Sequence, residues 1–370
     1  MTQCVEPHLC CGCAVCAAVC PAGAITMKRD DEGFLYPGVS NSCIDCGLCV
    51  EKCPVCAVEG IRMADHGLSA YAAHGAEEGE QLSCASGGVA TAISKKVLKA
   101  GGVVYGVAYG ENYRSTRYIR VEREEELELL KGSKYIQSEK DGLWQGVEEE
   151  LQTGRLTLFV GMPCDVAALK AYLGREYENL IACELICHGI TSPKVQGDYL
   201  DDLERQMGAA TAYFTVRYKK DGWYPPHIKA VMENGKEEIV PFYATSFGYA
   251  YEYFLRPSCN NCTFKGENRC GDITLGDYLG MTKDHPGYSE GGISAVMINS
   301  EKARPFVEDL PNMVYTPVPY EEIVACNKRM SIPARPKPQR EEVRLWVCGE
   351  GLAKGFAAKE EKGPVGPKPQ

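Results

Sequence analysis

The chain has 370 residues, 45% hydrophobic and 24% charged, with a net charge of −10. This bounds a globular protein of two or three domains with apolar residues enough for a sizeable core. It argues against a nucleic-acid partner, whose backbone is bound by clustered Lys and Arg. No stretch approaches the roughly 18 apolar residues of a membrane span, and the first thirty residues lack the basic start and apolar run of an export signal. A cytoplasmic protein without membrane insertion is therefore expected. Twenty cysteines in a reducing compartment then point to metal or redox chemistry and away from a disulfide framework.

The first element is "CCGCAVCAAVCP", in which Cys10, Cys13, Cys16 and Cys20 follow the spacing C-x2-C-x2-C-x3-C-P. The run "CIDCGLCVEKCP" repeats it as Cys43, Cys46, Cys49 and Cys53, about 33 residues later. Three closely spaced thiolates can each reach a different iron of one cubane, while the fourth, ahead of a chain-turning proline, is aimed at the other cluster. The spacing predicts one [4Fe–4S] cluster on Cys10, Cys13, Cys16 and Cys53 and a second on Cys20, Cys43, Cys46 and Cys49. Zinc hooks have no use for a third cysteine at the same pitch. Cys11 is off the register and reads as a bystander. The intervening "DEGFLYPGVS" reads as a turn and a short strand.

After this module comes "SCASGGVATAISKKVLKAGGVVYGVAYG", a Ser/Gly start, an amphipathic helix over about 88–99, a Gly-Gly stop and a strand over 103–109. The glycines do not fit the dinucleotide fingerprint between a strand and a helix. Ser86, Gly87 and Gly88 open the helix, either as an ordinary Ser/Gly cap or with amides able to cradle a phosphate. A second unit follows: a helix ending at Gly154, a strand over 156–161, a helix closed by Gly174, a strand over 180–186 and a helix begun by Pro193. Alternating strands and helices predict a mostly parallel sheet, with ligands at the carboxyl ends of its strands.

Cys164 and Cys187 fall just past two such ends, and "CNNC" supplies the two-cysteine hook Cys259 and Cys262. These four are candidates for a third [4Fe–4S] cluster, with zinc or uncommitted thiols as the competing readings and Cys183 and Cys270 as reserve ligands. His188, beside Cys187, is a candidate proton donor or a structural turn residue. Residues 211–241 alternate, with turn signals at Asp221-Gly222 and Asn234-Gly235, and predict an antiparallel meander. The aromatic stretch 242–254 reads as core before cofactor wall. Two further strands follow in "CGDITLGDYLG" and "GGISAVMINS", and "KEEKGPVGPKPQ" reads as a disordered tail.

The stretches "SGGVATAI", "KGSKYIQS", "FVGMPCDVAALK", "ELICHGITSP", "FTVRYKKDGW", "CNNCTF" and "DITLGDYLG" occur in order. Together they make the chain, over roughly residues 5–345, similar to the family of coenzyme F420 hydrogenase/dehydrogenase beta subunits with a fused dicluster ferredoxin domain. The resemblance implies an iron–sulfur flavoprotein that binds FAD and passes electrons between clusters and a hydride-exchanging organic substrate, F420 or another. It implies a ferredoxin or other redox protein as electron partner, a non-catalytic relay component of a larger complex being the alternative. It assigns Ser86, Gly87, Gly88, Ser133, Lys134 and Tyr135 to the flavin and Cys164, Cys187, Cys259 and Cys262 to a cluster. Cys84 stands where the family usually has serine, and Met162 where it has threonine.

The expected organisation is a ferredoxin-like domain over 1–64, a linker over 65–82, an oxidoreductase body over 83–345 and a C-terminal segment over 346–370. The fold class is α+β to α/β: a small bacterial-type dicluster domain, then a mixed, mostly parallel α/β flavoprotein domain with an antiparallel meander.

Overall fold

The computed structural model describes residues 5–61 and 69–361. The module boundary placed near residue 64 and the tail beyond residue 361 lie outside the described residues. In the N-terminal module, β1 (Ile25–Arg29) pairs antiparallel with β2 (Leu35–Val39). Each cysteine motif ends in a short helix, Val15–Ala18 and Leu48–Glu51. The helix Pro54–Ile61 follows the second Cys-Pro.

The body is built on β3 (Ser69–Gly75), β4 (Val103–Tyr109), β5 (Thr116–Val121), β6 (Thr157–Gly161) and β7 (Leu180–Leu185). Three strands, β8 (Thr211–Tyr218), β9 (His227–Met232) and β10 (Glu237–Pro241), form the antiparallel meander that the alternation predicts. They are followed by β11 (Ile273–Asp277), β12 (Ser294–Ile298) and β13 (Met313–Pro317). The main sheet has eight strands in the order β13-β3-β12-β11-β7-β6-β4-β5. Its middle, β11-β7-β6-β4, is parallel, and the strands on either side are antiparallel. The continuous apolar run of β7 suits a strand covered on both faces.

The stretch expected as a linker is structured from residue 69 onward. β3 lies between β12 and β13 in the sheet, and "SAYAAHG" escapes notice because its strand pairing, not its weak local propensity, decides its state. The C-terminal segment is likewise built: the helix Leu352–Glu360 buries Leu352 and Phe356.

Nor does the module stand apart. Cys13, Val15 and Val58 share a core with Leu143, Trp144, Val147, Leu169 and Leu173 on one face of the sheet. Phe34 enters the core of the meander with Phe247, Phe254 and Trp346. Polar ties back this up: Trp144 donates to the Cys13 carbonyl at 3.0 Å, and the fully buried Arg256 donates to those of Cys10 at 2.8 Å and Leu35 at 2.9 Å.

Candidate iron–sulfur sites and cofactor cleft

The two cysteine motifs fold alike. In the first, Gly12 (φ 68°) and Ala14 (φ 65°) flank Cys13 in the left-handed region, and in the second Asp45 (φ 53°) and Gly47 (φ 77°) flank Cys46. Left-handed turns of this kind gather backbone N–H groups into concave nests that favour anions, iron–sulfur clusters among them. Ala14 carries a side chain that disfavours the conformation, whereas an aspartate such as Asp45 tolerates it. Thiol burial differs between the two expected ligand sets: Cys13 and Cys53, of the first, are buried, whereas Cys46, of the second, is exposed. Desolvation pushes the Cys53 thiol up to about 12, a penalty removed where a coordinated metal holds the thiolate.

In the body, β6 and β7 run parallel and end side by side. Cys164 lies in the first turn of the helix Pro163–Leu173, which Pro163 starts and Gly174 stops in the left-handed region, and Cys187 lies just past β7. Both line one cavity together with Cys259 and Cys262. Cys11, the expected bystander, lines it as well. Cys183 and Cys270, the reserve ligands, are buried in core away from it; the alternation of β7 turns Cys183 to the other face of the sheet.

The cavity wall includes Arg256, Lys265, Arg269 and Arg329, a cationic lining that suits four thiolates and an anionic cluster. Burial pushes all four thiols up, Cys259 to about 12, with Lys265 opposing the rise at Cys187 and Cys262. Among the described residues no three His, Cys, Asp or Glu side chains converge on a point as a single ion requires. A cubane makes no such demand, because each thiolate binds its own iron.

Sequence reading missed what holds this wall. Glu184 and Arg269 are a fully buried ion pair. The Glu184 carboxylate also accepts from the amides of Cys270 (3.2 Å) and Gly271 (3.1 Å) and from the Thr274 hydroxyl (3.0 Å). Arg269 donates onward to the Gly266 and Met330 carbonyls. The signal was a glutamate inside the apolar run "NLIACELICHG", where a charge without a partner is not tolerated.

A second, larger cleft of about 1530 Å³ opens beside the cavity. Its lining includes Ser86, Gly88, Ser133, Lys134, Tyr135 and His188, six of the seven residues expected at the flavin or as proton donor. The seventh, Gly87, lies behind the wall: a Cβ there would stand 2.3 Å from the Ala73 carbonyl oxygen and 2.8 Å from the Ser294 nitrogen. Ser86 does not cap the helix. Its hydroxyl donates to the Ile293 carbonyl at 2.7 Å, and Gly88, at φ 88°, takes the cap position of Val89–Lys99 with no side-chain cap. The first turn thus carries no side-chain cap, as at helix starts that can receive phosphate groups. Lys219 pins the turn through the Gln81 and Ser86 carbonyls, at 2.7 and 2.9 Å.

Arg217 and Asp277, from two of the quoted stretches that had no role, meet in this cleft as a bidentate pair at 2.9 and 3.2 Å. The Arg217 Nε is buried with no hydrogen-bond partner. Tyr135 stacks on Tyr251 with ring centroids 4.4 Å apart, and Tyr243 and Tyr251 also line the cleft, so the aromatic stretch serves both core and wall. The Lys134 ammonium donates to the Leu129 and Lys131 carbonyls at 3.1 and 2.8 Å, and burial pushes it down to about 7. His188 Nε2 is buried without a hydrogen-bond partner, 3.9 Å from Glu252. Desolvation lowers the imidazole to about 4, which suits a neutral hydrogen-bonding group better than a cationic proton donor. The cavity and the cleft share a wall of Met162, Cys187, His188, Gly189, Ile190 and Arg329.

Residues 154–318 match the family described as coenzyme F420 hydrogenase/dehydrogenase, C terminus of the beta subunit, and residues 9–58 match the 4Fe-4S dicluster domain. The F subunit of the F(420)H(2) dehydrogenase of Methanosarcina mazei is 26% identical over 189 residues, 48% of this chain and 52% of that protein. The chain thus spans about half the length of this relative. An uncharacterized ferredoxin of Methanocaldococcus jannaschii is 33% identical over 54 residues, 15% of this chain and 70% of the ferredoxin. Among solved structures, the F420-reducing [NiFe] hydrogenase complex from Methanosarcina barkeri aligns with a TM-score of 0.49 at 18% identity, over 80% of this chain and 92% of that one.

Proposed function

We propose that the chain, whose residues 154–318 match the C-terminal model of the coenzyme F420 hydrogenase/dehydrogenase beta subunits and whose residues 9–58 match the 4Fe-4S dicluster domain, is an iron–sulfur flavoprotein oxidoreductase, coupling a ferredoxin-type carrier to hydride exchange with an organic substrate of the F420 type. The observation that carries this reading is the shared wall: the four-cysteine cavity and the large cleft meet at Cys187 and His188. A cluster ligand and a cofactor cleft this close need no further relay between them.

Cys10, Cys13, Cys16 and Cys53 would hold one cluster, Cys20, Cys43, Cys46 and Cys49 a second, and Cys164, Cys187, Cys259 and Cys262 a third. FAD, when bound in the cleft, supplies the exchange between one-electron and hydride chemistry. The amides after Gly88 would receive its phosphates, and Ser133 and Lys134, which line the same cleft, would face it. The Tyr135–Tyr251 stack gives a flat apolar surface that excludes water. Arg217, held by Asp277, would offer its guanidinium to a ligand in the cleft, and His188 offers a neutral ring nitrogen at the junction.

The Methanosarcina mazei relative is one component of a larger dehydrogenase, which favours a relay role within a complex as the second reading. One experiment separates them. Anaerobically isolated chain is expected to hold about twelve irons and about one FAD, released by denaturation and identified by chromatography, and to oxidise reduced F420 with a dye acceptor. Cys262→Ala is expected to remove about four irons and to leave the FAD in place. FAD neither present nor taken up on titration would overturn the reading, and FAD without turnover would leave the relay.

A further inference from the structure

The two motifs of the dicluster module are alike in backbone but opposite in environment. In the first, Cys11 sits between Cys10 and Cys13, within hydrogen-bonding reach of the Cys13 thiol, and lines the body cavity with Cys164, Cys187, Cys259 and Cys262. Trp144 and Arg256 hold the carbonyls of Cys13 and Cys10. Gly12 leaves no room for a side chain, since a Cβ would stand 2.4 Å from Gln137 Nε2. In the second motif the residue equivalent to Cys11 is Ile44, and it is 65% exposed. Cys46, equivalent to the buried Cys13, is exposed. A Cβ on Gly47 would meet nothing within 4 Å, and Val50, next to the third cysteine of the run, is also exposed.

Resting on the function proposed above, we propose that the module is wired in one orientation. The Cys10, Cys13, Cys16 and Cys53 site is the inner station against the body, and the Cys20, Cys43, Cys46 and Cys49 site is the outer port where a one-electron carrier protein docks over Ile44. An exposed apolar side chain placed between two of the proposed ligands, Cys43 and Cys46, suits the small contact areas of electron-transfer encounters. Each transfer moves one electron: the reduced carrier leaves oxidised, and the outer site, the inner site and the body site are reduced in turn. Two transfers and one proton make up the hydride that leaves on the organic acceptor.

The test uses the full chain, loaded with iron and sulfide without air. With an iron chelator and iodoacetamide present, peptide mass spectrometry follows each cysteine. Cys20, Cys43, Cys46 and Cys49 are expected to be alkylated several-fold sooner than Cys10, Cys13, Cys16 and Cys53. The reverse order, or one common rate, overturns the orientation. Ile44→Glu removes no thiol, and it is expected to slow reduction of the iron–sulfur absorbance by a reduced two-cluster ferredoxin about tenfold while leaving reduction by dithionite unchanged. An unchanged rate with ferredoxin overturns the docking site. Failure of ferredoxin to reduce the parent chain would instead strike at the carrier proposed above, and the alkylation order would still decide the orientation. Neither readout depends on flavin.

Discussion

Glu184→Gln tests whether the buried pair behind the body cavity holds the wall. The four contacts of the Glu184 carboxylate come from Arg269, two backbone amides and the Thr274 hydroxyl, which fills a carboxylate's acceptor sites. The amide that replaces it must turn an NH2 toward donors in either orientation. Arg269, 1% exposed, is left as an uncompensated charge, and breaking such a pair costs about 3–5 kcal/mol. At about 2 °C per kcal/mol for a chain of this size, the melting temperature should fall by about 6–10 °C. Arg269→Met should cost a similar amount. The double variant should cost clearly less than the sum, because the penalty lies in the unpaired partner and not in the pair. Thermal unfolding of the iron-loaded chain without air, at one scan rate, measures all three. A fall under about 2 °C for either single variant, or strict additivity in the double, would refute the argument.

Three further outcomes follow, from Lys134 and from two motif glycines. The Lys134 ammonium, pushed down by burial to about 7, returns to about 10.4 in the unfolded chain. Between those values the unfolded state binds a proton that the native state lacks, so stability should rise with pH from about 7 to about 10.4. Lys219, lowered by burial to about 8, acts in the same sense. Lys134→Met should flatten this rise in melting temperature, and an unaltered slope would place its cause elsewhere. Gly12→Ala sets a Cβ 2.4 Å from Gln137 and 2.7 Å from the Leu35 carbonyl at φ +68°, and should cost roughly 2 kcal/mol in denaturant unfolding. Gly47→Ala, at φ +77° with open space around it, should cost about 1 kcal/mol, and equal losses would mean that the contact with the body does not matter.

The cluster motifs were legible because their information is local: a cubane's ligands are set by spacing along a few turns of chain, and that spacing survives in the letters. The same holds for the helices, where Pro163 and Pro193 start and Gly174 and Gly208 stop what periodicity proposes. The meeting of Cys164 and Cys187 was also within reach, since parallel strands bring their carboxyl ends together. Other features depend on residues far apart in the chain. The strand Ser69–Gly75 has little propensity of its own and exists because β12 and β13 pair with it. Arg217 meets Asp277 sixty residues later, and Arg256 reaches back to Cys10 across 246. Cys11 shows the division most clearly. By spacing it is a thiol out of register, and only the docking of the module against Trp144 and Arg256 turns it toward the body cavity, while the equivalent Ile44 is left facing water, because one nest is buried by tertiary packing and the other is not.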